Sequence, residues 1–432
     1  MNIDKDVVHR RALRAVAVIV GGVIAASTLA GCGFVKSDDS GGTSSKTLSI
    51  ALSTEEAAGL KDLIPAFEKE SGIHVKVTSA ATADLNQQLS VQLTSGTAPD
   101  VFRVSPGSSS AIGASLLGAA GKLVPLTDQG WASKLPDSAR SLAQSGKNVY
   151  ALPLSQNEIV MAYNKDVFTK LGLEVPTTWA ELLDVCSKLK AAGIVPISAG
   201  FTGGIFLQFL VYQLAASNVY AVDPDIDAQQ KGSSTAFSSS REWREVFTKL
   251  RALQTDGYFT DGANGIAGDQ ATQAVVDGKA GMIGIVSASL PTMASAASGA
   301  GIGVFAMPGT DKASQTRLPV APDFIAVNAK TKNKDNAFKF LDFLAQTKNA
   351  TAYADALGSL PGLSVKATIP SQLDGVSDYL TKGLTVPFAN YTWPNGDTQQ
   401  TLLQSGQELI AGKISVDVLL TQLDAQFAKG TP

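Results

Sequence analysis

The stretch from residue 149 to residue 197 constrains the fold more than any other part of the chain. It begins VYALPLSQNEIVMAYNK, an apolar strand interrupted by Gln156, Asn157 and Glu158. Polar side chains inside an apolar strand cost stability unless they find partners. The pattern therefore predicts a strand that leaves one apolar interior, is polar for a few residues, and enters a second interior. Such a strand connects two globular parts.

A helix and a second strand follow in the same stretch. Thr178 and Glu181 have the spacing of a capping box, and the apolar residues after them fall on one helical face. Gly193 is placed to end the helix, and residues 194–197 form an apolar strand. This order is typical of an αβ unit in a mostly parallel sheet.

The first residues have the pattern of an export signal. Residues 9–14 are basic, residues 15–29 are apolar but too short for a comfortable transmembrane helix, and Leu-Ala-Gly-Cys closes the run. These features predict a lipoprotein signal peptide at residues 1–31 with lipidation at Cys32; an ordinary cleaved signal is the alternative. The pair Arg10-Arg11 leaves general and twin-arginine export both open. Residues 32–46, rich in Gly, Ser and Asp, predict a flexible tether with a reach of roughly 20 Å.

Composition narrows the function further. The chain has 432 residues, 44% of them hydrophobic, which is enough for two globular domains. Loss of residues 1–31 changes the formal charge from −3 to −5, because four positive and two negative charges are removed. An acidic chain without a basic run is a poor partner for nucleic acid. Only His74 and Cys186 would remain beside Cys32, so we expect no internal disulfide, no metal site and no nucleophile–histidine pair.

Periodicity and helix-breaking residues also predict elements nearer the two ends of the chain. Residues 47–52 alternate like a strand, and residues 54–71 predict one helix with a kink at Pro65. Near the end, residues 398–411 and 416–427 predict two helices. No phosphate-loop, zinc-protease or nucleophile-elbow motif occurs.

Several runs resemble those of extracellular solute-binding proteins of ABC importers, the group that includes sugar binders. They are AYNKDVFTKLGLEVPTTW, FEKESGIHVKV, SGTAPDVF and VVDGKAGM. The resemblance implies an α/β, two-lobed periplasmic-binding-protein-like fold of type II, with three crossovers near residues 156–159, 320–325 and 358–363. It assigns residues 47–157 plus 322–360 to lobe 1 and residues 158–321 plus 361–432 to lobe 2.

The chain departs from that family in two places. The family often has a tryptophan a few residues after the methionine of GKAGM, but here the run continues IGIVS. Pro322-Asp323 stands where many relatives have two glycines. The resemblance also makes Asp100, which leads into the third strand, a structural residue.

A two-lobed protein binds its ligand at the crossovers, because loops of both lobes meet only there. A neutral polyhydroxyl ligand needs aromatic faces for its C–H surfaces and amides or carboxylates for its hydroxyls. The acidic pair after the first strand is expected to face the cleft, although helix N-terminal acidity explains it equally well. The candidate ligand-binding residues are Glu55, Glu56, Gln156, Asn157, Phe201, Thr202, Asp323, Tyr391 and Trp393.

The function that follows is capture of a sugar or oligosaccharide by hinge closure and delivery to an ABC permease. The protein is expected to be a monomer, lipid-anchored on the extracytoplasmic face of the membrane, without cofactor or catalytic activity. Three alternatives stay open. They are a polyamine or other non-sugar ligand held by Glu55, Glu56 and Asp323, a secreted glycosidase using two carboxylates, and a sensor that presents its closed form to a receptor.

Overall fold

The computed structural model describes residues 46–297, 301–364 and 368–430. The predicted signal peptide (residues 1–31), the predicted lipidation site Cys32 and the predicted tether up to residue 45 lie outside these ranges. In the part of the chain that is described, no helix combines the length and the apolar character needed to cross a membrane.

The described strands form one mixed ten-stranded sheet and a separate two-stranded hairpin. Their bounds are β1 Thr47–Ser53, β2 His74–Ala80, β3 Val101–Val104, β4 Gln144–Ser145, β5 Asn148–Val149, β6 Ala151–Asn164, β7 Val195–Ile197, β8 Ala280–Val286, β9 Ile302–Phe305, β10 Leu318–Val327, β11 Leu360–Pro361 and β12 Thr385–Pro387. The order in the large sheet is β2-β1-β3-β10-β6-β8-β7, with β9 and β11 also paired to β6 and β12 to β10.

The helices surround this sheet. Their bounds are α1 Thr54–Gly59, α2 Leu63–Ser71, α3 Thr82–Ser95, α4 Ala114–Ala119, α5 Asp137–Ala143, α6 Lys165–Leu171, α7 Trp179–Ala191, α8 Ile205–Ala215, α9 Ile226–Gln229, α10 Arg241–Thr255, α11 Gly268–Val276, α12 Leu290–Ala296, α13 Lys334–Leu344, α14 Thr347–Ala356, α15 Ser377–Thr381, α16 Gly396–Ile410 and α17 Val416–Phe427. Both helices predicted near the end of the chain are confirmed in α16 and α17.

Strand β6 is the connection that the polar break predicted. Its first half, up to Glu158, pairs antiparallel with β10, and its second half, from Ile159, pairs antiparallel with β8. Leu152 belongs to a first hydrophobic core with Phe102 and Phe324, whereas Met161 belongs to a second core with Trp243. A third, smaller core includes Val160. The chain therefore crosses from one interior to another between residues 154 and 159, as expected.

The sheet mixes parallel and antiparallel pairs, and β10 pairs parallel with β12. Strand β1 pairs parallel with β2 and β3, and β7 pairs parallel with β8. Strands β6 and β10 run antiparallel to each other and to β8 and β3. The expectation of a mostly parallel sheet is wrong for the sheet as a whole, because the connecting strand β6 runs antiparallel to β8, β9, β10 and β11, and β10 runs antiparallel to β3.

Helix α7 begins as the capping box predicts. The Thr178 hydroxyl accepts from the Glu181 N–H (3.2 Å), and a Glu181 carboxylate oxygen accepts from the Thr178 N–H (3.3 Å). Gly193 follows the helix with φ of 73°, the left-handed conformation that suits glycine. Cys186 is fully buried on the apolar face of α7, and burial raises the pKa of its thiol to about 12.

The single helix predicted for residues 54–71 is two helices. Helix α1 ends at Gly59 and α2 starts at Leu63, so the break precedes Pro65 and Pro65 occupies the first turn of α2. Proline is tolerated there because it removes no intrahelical hydrogen bond. The shorter α1 places the acidic pair Glu55 and Glu56 in a first turn close to the crossovers.

Asp100 is structural, as the resemblance implied. Its carboxylate accepts from the Ser49 N–H (2.8 Å), the Ser49 hydroxyl (2.7 Å) and the Thr331 hydroxyl (2.5 Å). Burial alone raises the pKa of Asp100, but these hydrogen bonds outweigh it and hold the pKa below its usual value. Asp100 therefore ties β1 to the segment after β10.

Candidate functional site

Arg103 lies at the centre of a polar cluster beside the crossovers. It is the polar member of β3, whose residues are all buried. Its Nε donates to Glu56 Oε1 (3.1 Å), and one terminal nitrogen donates to Asn86 Oδ1 (2.5 Å). A buried guanidinium needs such partners, because an uncompensated buried charge is strongly destabilising. We call Glu56, Arg103, Ser155, Asn157 and Asp323 the polar cluster.

Glu56 serves the protein's own structure. Ser53 and Glu56 form a capping box at the start of α1, in which Glu56 Oε2 accepts from the Ser53 N–H (2.7 Å). Burial raises the pKa of Glu56, although the charge of Arg103 opposes that shift. With one oxygen on Ser53 and the other on Arg103, Glu56 holds the protein's own structure together, and its contact with a ligand stays a prediction. Glu55, the next residue back, is exposed.

Asp323 is the half-buried carboxylate of the cluster. Its Oδ2 accepts from the Ser155 hydroxyl (2.7 Å) and from the Asn157 side-chain amide (3.0 Å). Burial raises the pKa of Asp323, while hydrogen bonding and the charge of Arg103 lower it. Among the described residues none donates to Asp323 Oδ1. The second oxygen is therefore available to another donor.

Two features of the strands bring these groups together. Ser155 and Asn157 are two residues apart on β6, so their side chains lie on one face. Asp323 is opposite Ser155 on β10, and the register shifts between Asp323 and Phe324. A bulge of this kind redirects a side chain next to a functional site. The crossing strands thus aim Ser155, Asn157 and Asp323 at one point.

Gln156 and Glu158 lie on the opposite face of β6. The Gln156 amide donates to Glu158 Oε1 over a long 3.4 Å, and Glu158 Oε2 is buried without a hydrogen-bond partner. The Glu158 N–H donates to the Ser287 hydroxyl (3.0 Å). Burial raises the pKa of Glu158 to about 7. The sequence predicts no ligand contact for Glu158, although its position in the polar break of an apolar strand sets it apart.

Tyr391 touches both cores. Its half-buried ring packs against residues of the first and of the second core and lies parallel to Phe388, with centroids 5.8 Å apart and an interplanar angle of 6°. Burial raises the pKa of Tyr391 to about 12, and the charge of Asp323 adds to the effect. Tyr391 therefore lies close to the polar cluster.

Trp393, two residues later, is core. It is fully buried and packs edge-on against Tyr212 (centroids 6.1 Å) and Phe237 (5.6 Å). In this conformation its ring has no free face for a ligand. The prediction that Trp393 contacts ligand is corrected, because the chain turns inward between Tyr391 and Trp393.

Phe201 and Thr202 are not part of the polar cluster. Phe201 is fully buried, edge-on to Phe259 with centroids 5.4 Å apart, and belongs to the second core. Its predicted ligand contact is corrected as well, because the ring is enclosed in the second core and has no exposed face. Thr202 is exposed, and its hydroxyl donates to the Asn264 carbonyl (3.3 Å).

A cavity of about 980 Å³ adjoins the cluster. This volume is at the upper end of the roughly 300–1,000 Å³ typical of small-molecule sites. Of the predicted ligand contacts only Gln156 and Tyr391 line it; Asn157 and Asp323 do not. Gln156 faces away from Asp323, so the cavity and the polar cluster are neighbours that meet at Tyr391. The polar cluster holds the directional groups beside this cavity.

Another buried carboxylate, that of Asp227, lies at the wall of this cavity. Asp227 Oδ2 accepts from the Tyr220 hydroxyl (2.8 Å) and from the Thr392 hydroxyl. Burial raises the pKa of Asp227 to about 6. These bonds fix the backbone next to Tyr391. Among the described residues, no group of three or more His, Cys, Asp or Glu side chains is arranged to hold a metal ion.

Comparison with known proteins identifies the family. Residues 51–351 match the family of bacterial extracellular solute-binding proteins, and the chain belongs to this family. The two-lobed α/β fold predicted from the sequence is confirmed by solved structures. RafE from Streptococcus pneumoniae in its apo form superimposes with a TM-score of 0.77 at 21% identity, covering 90% of this chain and 99% of RafE. A family 1 extracellular solute-binding protein from Bifidobacterium longum subsp. infantis gives 0.75 at 22% identity, covering 89% and 99%.

The names of two relatives include a class of sugar. A multiple sugar-binding protein of Streptococcus mutans is 28% identical over 310 residues, which is 71% of this chain and 72% of the relative. A maltooligosaccharide ABC transporter solute-binding lipoprotein of Streptococcus pneumoniae is 26% identical over 405 residues, covering 88% and 86%.

Proposed function

We propose that this chain is the extracytoplasmic substrate-binding component of an ABC importer and that its ligand is a sugar or oligosaccharide. Both relatives described above carry a sugar or a maltooligosaccharide in their names, and they cover most of this chain. The protein itself catalyses nothing, because its task is to hold the solute and pass it to the membrane permease.

The observation that carries the proposal is the geometry around Asp323. Oδ2 is held by Ser155 and Asn157, and Oδ1 accepts from none of the described residues. A fixed carboxylate with a free acceptor suits a sugar hydroxyl. The Asn157 amide adds donor and acceptor atoms, and the Tyr391 ring offers an aromatic surface of the kind that packs on sugar C–H groups. Glu55 and Gln156 remain further candidate contacts.

A cationic ligand such as a polyamine fits this cluster less well. It needs several carboxylates free to pair with it, yet Glu56 is committed to Arg103 and to the Ser53 N–H. Arg103 itself places a positive charge beside Asp323. The arrangement favours a neutral polyhydroxyl ligand.

We propose that the ligand draws two lobes together at the three crossovers. Lobe 1 comprises residues 47–157 and 322–360, and lobe 2 comprises residues 158–321 and 361–432. The separate first and second cores support this division. A ligand that contacts both lobes binds the closed form more tightly and shifts the population toward it. The closed, loaded monomer then docks on the permease.

We further propose that the protein is anchored to the extracytoplasmic face of the membrane through a lipid on Cys32. The signal-like sequence before Cys32 and the lipoprotein among the relatives support this. The Gly- and Ser-rich residues after Cys32 would let the two lobes move away from the membrane surface.

A thermal-shift screen of the full-length protein in detergent tests the ligand class. Raffinose, maltotriose, stachyose and galactose are compared with putrescine and spermidine. A ligand at 100 times its dissociation constant adds about 2.7 kcal/mol to the free energy of unfolding, which raises the midpoint by several degrees. Asp323→Asn should weaken the binding of any active sugar about tenfold or more, since an amide replaces the charged acceptor.

Asp184→Asn is the matched control, because Asp184 is an exposed carboxylate on α7 whose partner is Lys188. It should leave sugar affinity unchanged. If putrescine raises the midpoint and no sugar does, the sugar assignment is wrong. If a sugar binds equally to wild type and to Asp323→Asn, the ligand lies elsewhere.

A further inference from the structure

Gly107, in the loop after β3, is held firmly by its own lobe. It has φ of 68°, in the left-handed region. Its N–H donates to the Leu142 carbonyl (2.9 Å), and its carbonyl accepts from the Ser115 N–H (3.0 Å). These bonds tie the loop to the end of α5 and the start of α4. Gly107 therefore cannot shift without disturbing both helices.

The segment that faces Gly107 is fixed just as firmly to the crossing strand. The Phe388 N–H donates to the Val320 carbonyl of β10 (3.1 Å), and the Tyr391 N–H donates to the Phe388 carbonyl (3.0 Å). The Thr392 N–H donates to the Ala389 carbonyl (3.2 Å). The Tyr391 carbonyl is therefore also held in place.

The two segments meet so closely that no side chain fits between them. A Cβ atom on Gly107 would overlap the Tyr391 carbonyl oxygen and lie 3.1 Å from its carbon. Both atoms are backbone, so no change of rotamer relieves the overlap. Because each segment is hydrogen-bonded within its own lobe, the overlap is relieved only when the lobes separate.

We propose that Gly107 is a positioning residue: its lack of a side chain lets Tyr391 reach the polar cluster, and any side chain there holds the two lobes apart. Its consequence for ligand affinity rests on the proposed function, since Tyr391 is a proposed contact. The structural part rests only on the division into lobes proposed above and not on the ligand, because Gly107 and Tyr391 are in contact whatever the ligand is.

Gly107→Ala and Gly121→Ala form a matched pair. Gly121 is in the same lobe and has φ of 67°, but a Cβ there would meet nothing within 4 Å. Both substitutions carry the same backbone strain, and this strain by itself should lower the thermal midpoint of each variant by a similar amount. Only Gly107→Ala adds the overlap with Tyr391. The difference between the two variants measures the contact alone.

Hydrogen exchange of the full-length protein in detergent tests the contact between Gly107 and Tyr391 in the absence of a ligand. In Gly107→Ala, amides at positions 388–395 of the other lobe should exchange at least tenfold faster than in wild type. In Gly121→Ala they should exchange at the wild-type rate. Equal exchange at 388–395 in wild type and Gly107→Ala overturns the proposal, as does an equal rise in both variants.

Isothermal titration with raffinose and maltotriose measures the consequence of each substitution for sugar affinity. Gly107→Ala should bind the active sugar at least tenfold more weakly, and Gly121→Ala within twofold of wild type. Unchanged affinity in Gly107→Ala overturns the role in binding. If neither sugar binds wild type, the proposed ligand class fails, while the exchange data still decide whether Gly107 controls the contact.

A milder variant is available if Gly107→Ala does not fold. A Cβ on Gly396 would lie 3.3 Å from the Ser109 carbonyl oxygen, so Gly396→Ala presses on the same interface from the other lobe without positive φ. Amides at 105–115 should then exchange faster. Wild-type exchange there overturns the proposal.

Discussion

Asp323 on β10 and Glu158 on β6 lie on adjacent crossing strands, but their carboxyl groups differ in burial and in hydrogen-bond partners. Asp323 is half-buried, accepts from Ser155 and Asn157, and has Arg103 nearby. Glu158 is fully buried, accepts one long hydrogen bond from Gln156, and keeps one oxygen without a partner. Burial raises the pKa of both carboxyls.

The difference shows what a crossing strand requires of a buried acid. Asp323 has partners that favour its charged form, so it can stay an acceptor for a ligand. None of the described residues places a positive charge beside Glu158, and its pKa of about 7 leaves it partly protonated at neutral pH. We expect Asp323 to contribute to binding and ionised Glu158 to reduce stability. Three substitutions test this contrast.

The largest effect is expected from Arg103→Met. Removing the guanidinium leaves Glu56 and Asp323 buried without a counter-charge, which should cost about 3–5 kcal/mol of the free energy of unfolding at pH 7. The loss should shrink toward pH 4, because the unpaired carboxyls then take up protons. Urea unfolding at both pH values measures it. Arg244→Met, which removes an exposed pair with Asp417, should cost less than about 1 kcal/mol; an equal cost would mean that the cluster is not special.

Glu158→Gln should stabilise the protein. The folded-state pKa of about 7 is above the usual 4.5, so the folded state binds more protons than the unfolded state and stability falls as pH rises from 4.5 to 7. A neutral amide avoids this loss, which amounts to about 3 kcal/mol at pH 8 and nearly nothing at pH 4. Unfolding curves at the two pH values compare Glu158→Gln with wild type.

The control for Glu158 is Glu70→Gln, at an exposed position on α2. It should change the free energy of unfolding by less than about 0.5 kcal/mol at either pH. If Glu158→Gln is no more stabilising at pH 8 than at pH 4, Glu158 does not carry the charge cost assigned to it.

The smallest effect is expected from Ser155→Ala. It removes the 2.7 Å hydrogen bond to Asp323 Oδ2, and a bond to a charged acceptor contributes about 2 kcal/mol. The loss should diminish at low pH, where Asp323 is protonated. Ser95→Ala removes an exposed hydroxyl that donates to its own helix and serves as the control in the same urea titration. A loss that is constant with pH would show that the Asp323 charge is not what Ser155 stabilises.

Local patterns in the sequence were sufficient for much of the architecture. The polar break in β6, the capping box of α7 and the two last helices are each confirmed, because periodicity and capping are properties of neighbouring residues. The polar break marked Asn157, and the family resemblance placed Asp323 at a crossover; the structure brings both into one cluster.

Other features depended on residues far apart in the chain. Arg103 lies in an apolar strand and gave no signal, because its partners Glu56 and Asn86 come from other elements. Tyr391 and Trp393 look alike in the sequence, yet one lies between the cores and the other inside the second core.

The sequence by itself determined where helices and strands occur and where the chain crosses between two interiors, since these follow from patterning over a few residues. The tertiary structure alone decided which polar groups are used up by the protein's own hydrogen bonds. It also decided which remain available, as with Glu56 against Asp323. Burial and partnership are set by the whole packed molecule, so no local window of sequence contains them.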